Sequence, residues 1–330
     1  MLPMTTMLSR AAENLYWMAR YLERAENTAR LLDVYVNRAL ELAPGTQAHH
    51  ERLLRLLHSL DLPVTERPDE DALVQSLSFD PNYEGSILFN LTIARENARH
   101  VREQISSEMW TEINSLYLET RRRDRAAQWS SEPHQFYMRV KEGAHLFQGV
   151  TDATMNHNQG WHFIQVGRYT ERLVSLLTFL HAQVTRHLDG TADAEDPGER
   201  YFELVALLKS VSAFEAFCKV YNPDMQPRSI AEFLLFNAEF PRSARFCLDM
   251  VFDSLNALAD ATMRHKNLRV NRLAGRLQSS FSFDDMDEVL RAGVTQYLYT
   301  MRHHIYQIHA ALFDTYITYA IDAAFTQDSR

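Results

Sequence analysis

Apolar positions recur at helical spacing along almost the whole chain. Leu15, Met18, Leu22, Ala25, Ala29 and Leu32 follow an i, i+3, i+4 rhythm, and Trp17, Tyr21, Leu31 and Tyr35 widen that stripe. The pattern predicts a first helix over about Ser9–Leu42, buried on several sides and ended by Pro44-Gly45. The same rhythm predicts a short helix at about His50–Leu60, a long one from Ser86 through Arg99, and another from Glu108 to Arg125. Ser130-Ser131-Glu132-Pro133 reads as a helix start, and a further helix runs from Thr151 or Trp161 to His187. Beyond it, Asp196-Pro197 can cap and start a helix that carries Phe202, Leu204, Leu207, Val211 and Phe214, and further helices are expected at Ser229–Asn237 and from Phe240-Pro241-Arg242-Ser243 to about His265. Asp285-x-x-Glu288 resembles a capping box ahead of a final helix over Asp287–Ala324, roughly 55–60 Å long at 1.5 Å per residue. Asp61–Asp71, Asn222–Pro227 and the acidic Asp189–Glu199 read as connectors. No segment alternates with period two for long enough to make a strand. The fold class expected is all-α, a long-helix bundle. An N-terminal half of about 1–188 and a C-terminal half of about 199–330 are joined by the acidic linker.

Polar positions inside these apolar helices add a second pattern. Arg20-Tyr21-x-Glu23-Arg24 returns as Arg168-Tyr169-x-Glu171-Arg172, so Arg20 falls on Arg168 and the offset is 148. The bundle therefore carries an internal pseudo-repeat of one helix, too long and too weak to be a solenoid. A charged pair in an almost wholly apolar helix is costly to bury unless it finds a partner. Adjacent Glu and Arg point about 100° apart on their own helix, so each needs a partner on another helix. Packing about a pseudo-twofold axis would let Glu23 meet Arg172 while Glu171 meets Arg24, a reciprocal brace. The alternative is a polar pocket. In that reading Glu23, Arg24, Glu171, Arg172 and His162 are candidate catalytic residues, and Arg20, Arg168, Tyr21, Tyr169, Arg95, Glu96 and Asn97 candidate substrate-binding residues. Arginine would hold a carboxylate or phosphate through two N–H groups, and glutamate would hold an amine or move a proton.

Composition narrows the choice. Apolar residues are 46% and charged residues 23%, enough for an extensive core, and Gly and Pro number only 10 each, which favours long elements. The net charge of −9 argues against a general nucleic-acid binder. The basic runs at Arg121–Arg125 and Arg264–Arg276 read as solvated faces or helix ends. Cys218 and Cys247 are read as reduced core residues and set up no metal signature. Glu142 and His145 have di-iron spacing, but the second Glu-x-x-His that such a site needs is missing, so no metal is expected. No stretch reads as a signal peptide or membrane span, and a cytoplasmic location without membrane contact is expected. Walker, dinucleotide, zincin and nucleophile-elbow patterns are absent, so no cofactor is assigned to this chain.

Ala11-Ala12-Glu13-Asn14-Leu15-Tyr16-Trp17-Met18-Ala19-Arg20-Tyr21-Leu22-Glu23-Arg24-Ala25-Glu26-Asn27-Thr28-Ala29-Arg30 closely resembles the opening signature of the alpha-E family, bacterial all-helical proteins named for their Glu-Arg motif. The likeness continues at Ala94–Arg99, Trp161–Arg172 and Phe240-Pro241-Arg242-Ser243, and so spans the chain as one domain over 1–330. Thr170 and Leu173 flank the second Glu-Arg where the first copy has Leu22 and Ala25, which makes the second copy less strictly equivalent. The resemblance implies partnership with a circularly permuted ATP-grasp protein and, as a second candidate, a transglutaminase-like protein. It implies ATP on the partner and a peptide or amino-acid substrate. The expected function is an accessory or substrate-presenting subunit of an ATP-grasp-linked system that forms or modifies amide bonds. The alternatives are an enzyme in its own right, acting on a peptide or acyl phosphate, and a non-catalytic helical scaffold.

Overall fold

The computed structural model describes residues 7, 9–39, 47–63, 69–122, 132–188, 197–221, 225–262 and 268–318. Among them are fifteen α-helices and no strand. Two helices organise the rest: α1 (Ser9–Ala39) and α7 (Gln159–Gln183), the two that carry the Glu-Arg motif. They pack along each other. α4 (Ile87–His100) and α6 (Pro133–Thr154) flank α1, and α12 (Ala244–Ala261) lies on α7. α2 (Gln47–Ser59) and α15 (Val294–Phe313) also lean on α7, and α5 (Ser107–Arg121) closes against α4 and α6. Helices from both predicted halves thus share the α7 surface.

Local sequence starts these helices where a side-chain oxygen meets orphan backbone donors. Ser86 accepts from the Phe89 N–H at 2.9 Å, Ser106 from Met109 at 3.1 Å, and Ser243 from Phe246 at 3.1 Å. Asn158 accepts from Gly160 at 3.0 Å and so starts α7 at Gln159, which decides between the two expected starts in favour of the one near Trp161. Asp285 accepts from Glu288 at 2.9 Å, as the capping pattern predicts.

Four expectations need correction. The loop expected to run to Asp71 ends earlier, because Asp69 caps α3 (Glu70–Phe79), a helix with only Val74, Leu77 and Ser78 buried. The final helix is not continuous. Gly293 sits at φ +80°, a backbone that glycine adopts without strain, and separates α14 (Met286–Ala292) from α15. A π-helical turn, Asp314–Thr318, ends the described chain. α9 (Pro197–Ser210) opens at the proline expected to start it but stops short of Val211 and Phe214, which the expected helix carries. Cys247 is buried, but Cys218 is exposed on α10 (Phe214–Val220), a seven-residue helix that buries only Phe217. Pro44-Gly45, Arg123–Arg125, Ser130-Ser131, Asp189–Asp196, Asn222–Asp224, Arg264–Lys266 and the stretch to Ala324 lie outside the described residues.

Between α7 and α9 comes the one-turn α8 (Thr185–Leu188). α11 (Pro227–Phe236) and α13 (Arg269–Phe283) complete the bundle, and α13 turns Arg269, Arg272 and Arg276 from a run in sequence into positions on a helix. No helix of the described residues is long and apolar enough to cross a membrane.

Candidate functional site

α1 and α7 meet at a point where α7 has no side chain. A Cβ on Gly167 would stand 2.4 Å from the carbonyl oxygen of Tyr16 and 3.3 Å from the Cβ of Ala19, its own repeat equivalent. This close approach lets the two Glu-Arg pairs reach across. Arg172 donates from Nε and Nη2 to Glu23 at 2.6 and 2.9 Å. Arg24 donates from Nε and Nη2 to Glu171 at 2.6 and 3.1 Å. The reciprocal pairing follows from the repeat, and both pairs are two-pronged, the strongest form of such a contact. The tyrosines obey the repeat too: Arg24 stacks on Tyr21 and Arg172 on Tyr169, at 5.4 and 5.2 Å from the ring centres.

The second arginine on each carboxylate breaks the symmetry. Glu171 also accepts from Arg20 Nε at 2.6 Å. Arg168, the repeat equivalent of Arg20, makes no such bond. It donates to Gln165 and to the Tyr169 hydroxyl, and its place on Glu23 is taken by Arg242 at 3.3 Å. Arg242 comes from the Phe240-Pro241-Arg242-Ser243 turn that opens α12, with the Pro241 carbonyl accepting from Arg172 at 3.1 Å. Arg242 reaches on to Glu26, which is fully buried and also contacts Arg30 and His145. Glu26, Arg30, Arg242 and His145 were not singled out as site residues from the sequence. The usable signal was Glu26 falling three residues after Glu23 on the apolar stripe.

The predicted site residues therefore divide. Glu23, Arg24, Glu171, Arg172, Arg20, Tyr21 and Tyr169 converge. Arg95, Glu96 and Asn97 sit apart on α4, where Arg95 binds Asn114 at 2.8 Å and Glu96 at 2.6 Å and stacks on Trp110 and Tyr117. His162 lies in the first turns of α7 against Trp161, nine residues before Glu171 and so about 13 Å away along the axis. As a base for chemistry at Glu171 it is out of reach.

Electrostatics follow the geometry. Burial pushes the Glu171 carboxyl up, but the guanidiniums of Arg20 and Arg24 more than offset this and hold it below the ordinary 4.5. Glu26 is likewise raised by burial and pulled well below 4.5 by Arg242 and Arg30. Arg20 also donates to the Tyr16 hydroxyl at 3.1 Å, so the Tyr16 proton points to Nδ1 of His309, 2.8 Å away. Burial, helped by the Arg20 charge, pushes His309 down to about 4, and it is neutral at pH 7.

These shifts give acid sensitivity a sign. In each case the unfolded chain binds protons more readily as pH falls, so stability is lost on acidification. Protonation of His309, and of His187, which burial also pushes to about 4, acts between 6.5 and 4. The Glu171 and Glu26 contributions are complete above 4.5 and vanish as pH drops through their folded values. The urea midpoint should decline gently below about pH 6.5 and steeply below 4.5, with a shallower first phase in His309→Gln. A midpoint that rises on acidification would contradict this assignment.

One side of the cluster is open. A cavity of about 250 Å³ lies between α1, α7, the end of α2 and the turn before α4. Arg20, Arg24 and Glu171 form its floor; Asp61, Glu84 and Tyr306 stand among its other walls. Arg24 is the exposed member, its side chain 37% accessible against 7% for Arg20 and 4% for Glu171. On the Glu23 side the corresponding space is about 20 Å³, too small for more than a water. The two copies of the motif match as reciprocal ion pairs and differ in the space beside them.

The alpha-E profile, described as a predicted alpha-helical domain with a conserved ER motif, matches residues 7–317. The chain belongs to the alpha-E family. The ER pairs of this alpha-E domain are the residues that join α1 to α7. Uncharacterized proteins of Mycobacterium bovis and Mycobacterium tuberculosis are 24% identical over 335 residues, covering 92% of this chain and 36% of their own length. The chain thus spans about a third of the curated relatives it matches. No solved structure matches it.

Proposed function

We propose that this alpha-E protein is a cytoplasmic, substrate-presenting subunit of an ATP-grasp-linked system that forms or modifies amide bonds. It holds a peptide or amino acid in the Arg24 cavity while the nucleotide is bound by the partner. The observation that carries the reading is the cavity itself. Of two matching, buried Glu-Arg pairs, one opens onto about 250 Å³ of polar space with a half-exposed guanidinium at its floor. A pure brace has no use for that space. Glu171 already accepts hydrogen bonds on both oxygens and its affinity for a proton is reduced, which makes it a poor general base and favours holding over chemistry. The longer mycobacterial relatives fit a domain that works beside further sequence.

Affinity purification from the native host tests the reading. An ATP-grasp protein should copurify, and the complex should ligate amide bonds only with this chain present. Arg24→Gln should abolish ligation without loss of the partner. Tight ATP binding by the isolated chain, or full ligation by the ATP-grasp protein alone, would overturn it.

A further inference from the structure

The charges and free donors around the cavity define what it can hold. Two guanidiniums, Arg20 and Arg24, share the single carboxylate of Glu171, which leaves one positive charge in excess at the floor. That carboxylate is spent, with Oε1 taken by Arg24 Nε and Oε2 by Arg20 Nε and Arg24 Nη2. Arg20 is spent as well, since its remaining reach goes to Tyr16. Arg24 keeps Nη1 without a partner among the described residues. Next to it on the same walls are Asn27 and Thr28 of α1 and Ser175 of α7, whose side chains bond to no described residue.

The lining also carries the other sign, in Asp61 and Glu84. Arg302 neutralises Asp61 at 2.8 Å, but Glu84 is exposed and makes no side-chain bond among the described residues. We infer that the cavity between Arg24 and Glu84 recognises a small zwitterion, its carboxylate on Arg24, Asn27, Thr28 and Ser175 and its ammonium toward Glu84. One excess positive charge balances a monoanion. A phosphate dianion would add uncompensated negative charge between Glu171 and Glu84. At about 250 Å³ the space is below the roughly 300–1,000 Å³ of drug-sized pockets, which suits one or two amino-acid residues. The inference rests on reading this cavity as the substrate site and names what the site takes.

The test is direct titration of the full chain, by calorimetry or saturation-transfer NMR, with L-alanyl-L-alanine, its N-acetyl and C-amide derivatives, and inorganic phosphate. The free dipeptide should bind, and each blocked derivative should bind about tenfold more weakly, as expected for losing a hydrogen bond to a charged group. Arg24→Gln should abolish binding. Thr28→Val should weaken it with the melting temperature unchanged or raised, since no protein bond is lost. Glu84→Gln should weaken the free dipeptide and leave the N-acetyl form unaffected. Phosphate outcompeting the dipeptide would overturn the zwitterion while leaving an anion site. Absence of binding by every probe, with Thr28→Val harmless to ligation by the purified complex, would remove the site altogether. A chain that binds the dipeptide but purifies without a ligase keeps the site and loses the partner.

Discussion

Glu171→Gln should lower the stability of this protein by about 3–5 kcal/mol, the usual penalty for breaking one half of a buried ion pair. Glutamine keeps the volume and removes the charge. Arg20, whose side chain is 7% exposed, would then be a cation in the core with no counter-charge, met only by the Tyr16 hydroxyl, the Tyr16 and Trp17 rings and a neutral amide oxygen. Arg24 can turn into the cavity and be solvated, so it adds little to the loss. At roughly 2–4 °C per kcal/mol, the melting temperature should fall by about 10 °C. Arg24→Gln should cost only a small part of that, because Arg20 still pairs with Glu171. The double change Arg20→Met with Glu171→Met should recover most of the loss, since apolar groups of similar size commonly replace a buried pair without penalty. Calorimetry on the four proteins decides the matter. A melting temperature within about 2 °C of wild type for Glu171→Gln would mean that the carboxylate is not a brace, and would revive it as a reacting group.

That contrast bears on how the motif is used. Stability and binding are assigned to different atoms of one cluster: Glu171 and Arg20 to the brace, Arg24 Nη1 with Asn27, Thr28 and Ser175 to the ligand. An enzyme using Glu171 as its base would show the reverse, with activity lost at an unchanged melting temperature.

The meeting of α1 with α7 could be read from the sequence because the repeat specifies it: two helices with the same buried charge pair satisfy each other best about a twofold axis. Other features could not be read that way. Arg242 stands more than two hundred residues from Glu23, and although the family likeness covers its proline turn, nothing local says that it reaches that carboxylate. Arg168 and Arg20 occupy identical places in the motif, yet Tyr16 and His309 orient Arg20, whereas Gln165 takes Arg168. The offset of 148 sets Ile164 opposite Tyr16, so the difference was visible, but its consequence depended on α15 arriving with His309. Glu26 falls on the apolar stripe, but Glu26 and Arg30 also have the spacing of a solvated i, i+4 pair, and it is Arg242 from the turn before α12 and His145 of α6 closing on Glu26 that show the pair to be core. Gly293 was the missed cue in the last helix: the apolar rhythm continues across it, while the backbone does not.

Gly167→Ala should destabilise the protein by about 2 kcal/mol or more, although alanine is the better helix former by about 1 kcal/mol. A Cβ at this position would lie 2.4 Å from the Tyr16 carbonyl oxygen, far inside contact distance, and the atom it meets belongs to the α1 backbone. A flexible side chain could swing away from such a clash. A helix backbone can only move as a unit, so α1 and α7 must separate at their crossing. The overpacking cost of typically 1–3 kcal/mol is then at its upper end. The bridges from Arg20 and Arg24 to Glu171 and from Arg172 to Glu23 lie within two turns of the contact, and their 2.6 Å distances cannot survive the shift intact. Gly167→Ala should therefore flatten the steep acid phase below pH 4.5 as well as lower the urea midpoint, because the Glu171 carboxyl no longer holds its depressed pKa. Gly149→Ala is the control. Its Cβ would meet nothing within 4 Å at an exposed position of α6, so helix propensity alone should act, raising stability by up to about 1 kcal/mol. If Gly167→Ala instead matches Gly149→Ala in both midpoint and acid profile, α1 and α7 do not approach closely enough for the Glu-Arg pairs to close across them.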